Sequence, residues 1–299
     1  MAPNHESPAR RTPDAVARVV VAYAIALVVA LIVGGALGDV HPLWRVAGAD
    51  VAATLVIWVF SAVHRNSSFY DAYWSVAPVP IAFFLMAGPA PPDASVTRQN
   101  VVFALVGIWA ARLTYNWYRQ WTGLGHEDWR YVELRREHGR LFPLVDFFGI
   151  HFFPTVLVFL GCLSLWPALA VGTRAFGWLD VAAGIVTAGA IAIEAAADQQ
   201  LRRFVMGPRK PDAILATGLW AYSRHPNYFG ETSFWWGLWL FGLAAAPEYW
   251  WTIVGPLAMT GLFLFVSIPM MDERMAARRP GYAAHRKRVS GFVPWFPRR

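Results

Sequence analysis

The chain has 299 residues, of which 57% are hydrophobic and only 15% charged, with a formal net charge of +7 and 16 tryptophans. A soluble domain carries roughly 25% charged residues, so this composition cannot coat a water-facing surface and implies lipid as the solvent. One cysteine, Cys162, excludes an intramolecular disulfide framework and a multi-cysteine metal site. No histidine pair has metal-ligand spacing and there is no Gly-x-Gly-x-x-Gly or Walker pattern, so neither a metal nor a soluble nucleotide-binding fold is expected.

In chain order, residues 1–15 are polar and Pro-containing and read as a disordered tail, and residues 16–299 read as a single membrane domain. A bilayer core about 30 Å thick takes about 20 apolar residues per helix. Eight candidate spans follow: Val16–Leu37, Ala47–Val63, Trp74–Gly88, Asn100–Trp121, Phe148–Val171, Trp178–Ala197, Tyr228–Ala246 and Trp250–Met271. The first is too long for a signal-peptide core. The third is short and holds Pro78 and Pro80, which suggests a broken or re-entrant segment. The expected fold is an all-α, polytopic transmembrane helical bundle of seven to eight spans.

With the N-terminus inside and the spans alternating, every Lys and Arg except Arg45, Arg98 and Arg174 falls on the cytoplasmic side, as do both termini. The basic charge then belongs at a membrane surface and not on nucleic acid. Two long cytoplasmic loops, about 123–147 and 202–226, mix aromatic residues with charges of both signs and are expected to be ordered and functional.

The segment Gly218-Leu-Trp-Ala-Tyr-Ser-Arg-His-Pro-Asn-Tyr-Phe-Gly-Glu231 concentrates polar residues where a cytoplasmic loop enters a membrane helix. Pro226 suits a first helical turn, whose free N–H groups suit an anion. Arg224 and His225 add donors, Asn227 can present an amide, and Glu231 would sit a turn into the membrane, where a carboxylate is costly. Glu194, Asp198 and Arg202 recur every four residues and share one helix face, either as functional groups or as a helix-end salt bridge. Arg112, Tyr115, Asn116 and Arg119 form another polar face. Tyr70, Asp71 and Tyr73 lie together beside the broken third span, either as a proton donor supported by a carboxylate or as an interfacial belt. Glu127 and Asp128 are a second pair of that kind, or a salt-bridge cluster.

The Arg224-His-Pro-Asn-Tyr-Phe-Gly230 run resembles the signature of the steroid 5-alpha-reductase superfamily, which extends through sterol delta-14 reductases and, as a close variant, isoprenylcysteine carboxyl methyltransferases. Asn66-Ser-Ser-Phe-Tyr-Asp-Ala-Tyr-Trp74, Gly125-His-Glu-Asp-Trp-Arg-Tyr131 and Pro280-Gly-Tyr282 resemble the uncharacterised bacterial branch of that superfamily. The resemblance implies a bacterial inner-membrane reductase. NADPH would occupy a cavity in the C-terminal half, about residues 178–299, and reduce an activated carbon–carbon double bond of a lipidic substrate, with no obligate protein partner. It places Asn227, Glu231, Glu194 and Asp198 at the cofactor and Tyr282 over its adenosine end, and makes Tyr222, Arg224, His225, Tyr228, Arg112 and Asn116 further cofactor-binding candidates. Arg202 and Lys210, with Arg203 and Arg209, are cations for its phosphates or for lipid headgroups. Where the steroid enzymes carry a tyrosine acid three residues before the helix-borne arginine, this chain has Trp109 before Arg112. The alternative is a methyltransferase with S-adenosylmethionine in the same cavity.

Overall fold

The computed structural model describes residues 13–210 and 212–298. Most of the expected tail, residues 1–12, lies outside them; helix α1 already begins at Pro13. The described residues are helical apart from loops and one isolated bridge between Ser223 and Ser290. Five stretches are long and apolar enough to cross a membrane: Pro13–Ala36, Pro42–His64, Trp129–Val171, Trp178–Met206 and Pro247–Arg278. Two further helices, Val96–Gln120 and Pro226–Ala245, have 25 and 20 residues, enough to span at 1.5 Å per residue. The protein is a polytopic helical membrane protein.

The chain divides into two compact units, one made of residues up to Leu85 together with Val106–Cys162, the other of Met86–Leu105 and Leu163 onward. In the first unit, α1 (Pro13–Ala36) buries Ala15, Val19, Ala22 and Ala26, a stripe spaced by three and four. It packs on α2 (Pro42–His64), where an added Cβ at Gly48 would lie 2.8 Å from Leu37. Small residues allow this close approach, which drives helix association in lipid. Arg65 ends α2 in the left-handed region, φ 51°. Asn66 then caps the Ser67–Phe69 turn.

The third apolar segment is broken as expected, into α3 (Tyr73–Val76) and α4 (Pro78–Ala87). Pro78 and Pro80 supply no N–H to the preceding turn. The ten residues of α4 cover about 15 Å, half a bilayer core. After α5 (Val96–Gln120) come α6 (Trp129–His138), α7 (Phe142–Val145) and α8 (Phe153–Cys162), with a π-helical turn at Asp146–Phe152. The wider turn sets the His151 ring under the Asp146 carbonyl, with Nδ1 2.9 Å from its oxygen.

In the second unit, α9 (Trp178–Met206) extends beyond the expected apolar span, which ends at Ala197, and carries Asp198 and Arg202 on the helix as their spacing implies. It packs along α10 (Pro226–Ala245) through glycines: a Cβ at Gly230 would lie 2.7 Å from the Glu194 Cβ, and one at Gly237 2.2 Å from the Thr187 Oγ1. Gly230→Val is expected to lower the unfolding midpoint in detergent by an amount equivalent to about 1–3 kcal/mol, since the α9 backbone at Ala190 O and Glu194 N would lie 2.9 Å from the first added carbon. A midpoint equal to wild type would refute this packing. The unit closes with α11 (Val254–Leu262), α12 (Ile268–Arg278) and α13 (Tyr282–Arg288).

Arg98 departs from its sequence assignment as an outer-loop cation. It is 1% exposed and its Nε lies 2.6 Å from Asp180 Oδ1. Asp180 also accepts from the Gly177 N–H at the start of α9.

Candidate functional site

The second unit holds most of the residues singled out at the C-terminal end. Pro226 opens α10, and His225, just before it, stacks on Tyr228 with ring centroids 5.1 Å apart. The hub of this region is Asp272 on α12, which the sequence reading did not single out as a site residue. Its buried carboxylate accepts from Arg224 Nη2 at 2.8 Å, from the Tyr282 hydroxyl and from His225 Nε2 at 3.3 Å, with Arg286 Nε at 3.5 Å. Burial, and then the Asp272 charge, push the Tyr282 hydroxyl well above the usual phenol range. Arg224 and His225 are therefore turned inward as structural donors.

A cavity of about 160 Å³ opens beside this hub. Five of the expected residues line it: Arg224, His225, Asn227, Tyr228 and Tyr282; Arg279 and His285 join them. Burial and the nearby Arg209 and Arg278 charges lower the Arg279 guanidinium below its usual range. Burial, then Arg224 and Arg288, lower the His285 imidazole. Among the described residues no carboxylate is part of the cavity lining. The lining is otherwise largely apolar, and within it the Arg279 guanidinium and the His285 ring N–H, beside an Arg224 already paired with Asp272, suit an anionic group.

Asn227 bridges to α9, donating from Nδ2 to Asp198 Oδ1 at 3.4 Å. Its own Oδ1 is buried without a hydrogen-bond partner among the described residues, which suits a donor from a ligand. Glu194 and Glu231 are each 4% exposed; Trp235 Nε1 donates to Glu231 Oε1 at 2.8 Å. Glu194, Asp198, Arg202, Lys210, Tyr222 and Glu231 do not line the cavity. Lys210 is exposed, and Tyr222 packs its ring against Phe296. Gln200, on α9 but outside the expected set, holds the loop before the motif through the Leu219 N–H at 2.9 Å, where Gly218 has φ 62°. Its signal was its place two residues after Asp198.

The remaining expected residues belong to the first unit. Arg112 and Asn116 are half-buried on α5, and Asn116 Oδ1 accepts from Arg119 Nη2 at 2.8 Å. Trp109, the departure from the steroid enzymes, is fully buried against Trp74. Tyr70, Asp71 and Tyr73 stand close in the chain but have separate partners. The Tyr70 hydroxyl lies 2.8 Å from Thr155 Oγ1, which also contacts Thr54. Asp71 accepts from the Tyr131 hydroxyl at 2.8 Å, and burial raises its carboxyl to about 6. The Tyr73 hydroxyl faces Asp50 Oδ1 at 3.3 Å. The carboxyl beside Tyr73 is thus Asp50 of α2 and not Asp71. Asp50 is 6% exposed, and its Oδ2 has no hydrogen-bond partner among the described residues.

The two motifs of this unit interlock. Asn66 Nδ2 donates to the carbonyls of Leu124 and His126, and the Asp128 N–H donates to Ser68 Oγ. Glu127 accepts from the Ser67 N–H and pairs with Arg135, and Asp128 pairs with Arg130. Both carboxylates are engaged in the structural cluster that the sequence reading held open beside the acid role.

The family profile described as "Protein of unknown function (DUF1295)" matches residues 57–289, and the chain belongs to that family. It is similar to an uncharacterised protein of Schizosaccharomyces pombe, 31% identical over 263 residues, covering 80% of this chain and 76% of the relative. No solved structure matches it.

Proposed function

We propose that the protein is a membrane-embedded, NADPH-dependent reductase of an activated carbon–carbon double bond in a lipidic substrate, as in the steroid 5-alpha-reductase superfamily. The observation that carries this reading is the cavity beside Asn227, walled by Arg224, Arg279 and His285 with no carboxylate among its described lining residues. Phosphate groups satisfy such a wall. S-adenosylmethionine offers one carboxylate beside its sulfonium and ammonium charges and gains less from it than a phosphate-bearing dinucleotide, so the methyltransferase reading is the weaker one. The unpartnered Asn227 Oδ1 fits an amide or ribose donor of the same cofactor. At about 160 Å³, below the roughly 300–1,000 Å³ of ordinary ligand pockets, the cavity as it stands takes one end of a dinucleotide, and a whole one requires it to widen.

NADPH supplies a hydride when bound. This chain's own residues would do the rest. Arg279 and His285 would hold phosphate, and Asn227 would orient the bound group, itself steadied by Asp198. In the first unit, Tyr73 with Asp50 has the chemistry of a proton donor, a phenol backed by a buried carboxyl.

The test is the small molecule that co-purifies. Denaturing the purified protein and analysing the supernatant by mass spectrometry is expected to release NADPH or NADP; S-adenosylmethionine or its demethylated product would overturn the reading. Asn227→Ala is expected to weaken cofactor retention roughly tenfold, the loss of about one buried hydrogen bond.

A further inference from the structure

After α13 the chain doubles back on the Tyr222–Asn227 segment. The Arg224 N–H donates to the Ser290 carbonyl at 2.8 Å, the Trp295 N–H donates to the Tyr222 carbonyl at 2.9 Å, and Ser223 Oγ donates to the Phe292 carbonyl at 2.7 Å. The Arg298 N–H reaches the Arg288 carbonyl at 2.8 Å, so residues 288–298 close into a compact loop. Its inner face is tied by Phe292 against Phe229, by buried Val289, and by Gly291, where an added Cβ would lie 2.9 Å from the Arg224 guanidinium.

The outer face has a different character. Val293 is 51% exposed, Trp295 70% and Phe296 76%. The same segment carries exposed Arg286, Lys287, Arg288 and Arg298, and the sequence has no acidic residue from Tyr282 to its end. A compact loop that presents indole and phenyl rings in a segment whose exposed charges are all basic has the chemistry of a membrane interface made of anionic lipid. Water is a poor solvent for these rings, and the excess of positive charge, with only Arg286 near a carboxylate, disfavours a basic partner.

We propose that the 288–298 loop is an interfacial wedge that seats Trp295 and Phe296 among anionic lipid headgroups, and that this seating fixes the Arg224–Asn227 segment at the wall of the cavity. The loop and the segment share backbone hydrogen bonds, so whatever orders one orders the other. The lipid composition of the surrounding leaflet therefore sets how firmly Asn227 and His225 are held. The inference stands whether or not the cavity takes NADPH.

The experiment is hydrogen–deuterium exchange on the full-length protein in nanodiscs of phosphatidylcholine alone and of phosphatidylcholine with phosphatidylglycerol. Peptides covering the Trp295 and Arg224 amides are expected to exchange about tenfold more slowly in the anionic discs. Two variants should abolish the difference: Trp295→Ala/Phe296→Ala, which removes the exposed rings, and Lys287→Glu/Arg298→Glu, which reverses exposed charge. Equal exchange of wild type in the two lipids overturns the proposal, and is the outcome if the face instead docks a protein. A lipid dependence that survives in both variants overturns it as well.

Discussion

Arg98→Ala is expected to lower the stability of the detergent-solubilised protein by about 3–5 kcal/mol, the cost of removing one partner from a buried ion pair. That is a large fraction of the roughly 5–15 kcal/mol a folded protein holds in reserve, so the variant should yield little folded material. Arg98 and Asp180 side chains are each 1% exposed. The guanidinium does more than pair: it also donates to the carbonyls of Arg174 at 2.8 Å and Ala175 at 3.2 Å. Its loss strands a carboxylate and two carbonyls together, away from water. Arg98→Lys should recover little, because one ammonium cannot reproduce the fork that binds both Asp180 oxygens and the two carbonyls. Thermal unfolding followed by circular dichroism checks both variants. An Arg98→Ala midpoint within a degree or two of wild type would show that the pair does not form.

Asp272→Asn is expected to have the second largest effect, again about 3–5 kcal/mol, since it leaves the nearly buried Arg224 without its counter-charge. The damage should be local and readable. Arg224, His225, Tyr282 and Arg286 all converge on the one carboxylate. Without it the Arg224–Asn227 segment, α13 and the 288–298 loop should gain hydrogen-exchange rate together, and cofactor retention should fall with them. Pairing the change with Arg224→Met separates charge from packing: if the carboxylate acts through Arg224, the double variant is more stable than the sum of the two single changes requires. Strict additivity would contradict that coupling. Asp272 is a positioning residue here, since it does not line the cavity.

Much of the fold was legible because a membrane helix is written in one stretch of chain. Apolar runs of about 20 residues gave the spans, and Pro78 and Pro80 marked the break between α3 and α4. The apolar span of α9 ends at Ala197 but the helix runs on to Met206, as the four-residue spacing of Glu194, Asp198 and Arg202 on one face implies. At the site, five of the cavity-lining residues came directly from the Arg-His-Pro-Asn-Tyr segment and the closing Tyr282. Their partner Asp272 did not: it opens the Asp272–His285 segment that resembles the family's closing helix, but its pairing with Arg224, 48 residues away, leaves no mark in the sequence. Asp50 likewise stands 23 residues before Tyr73, so Asp71, close in the chain, looked like the better carboxylate.

The sequence alone determined the solvent, the helices and the segment where polar chemistry concentrates, because each of these depends on composition within a short window. Tertiary structure decided which charges are spoken for. Coulomb and hydrogen-bond energies depend on distance in space, and sequence separation carries no such distance. Packing therefore converted Arg98 from an expected outer-loop cation into a buried ion pair, turned Arg224 and His225 inward onto Asp272, and put Arg279 and His285 into the cavity lining, where no carboxylate stands among the described residues.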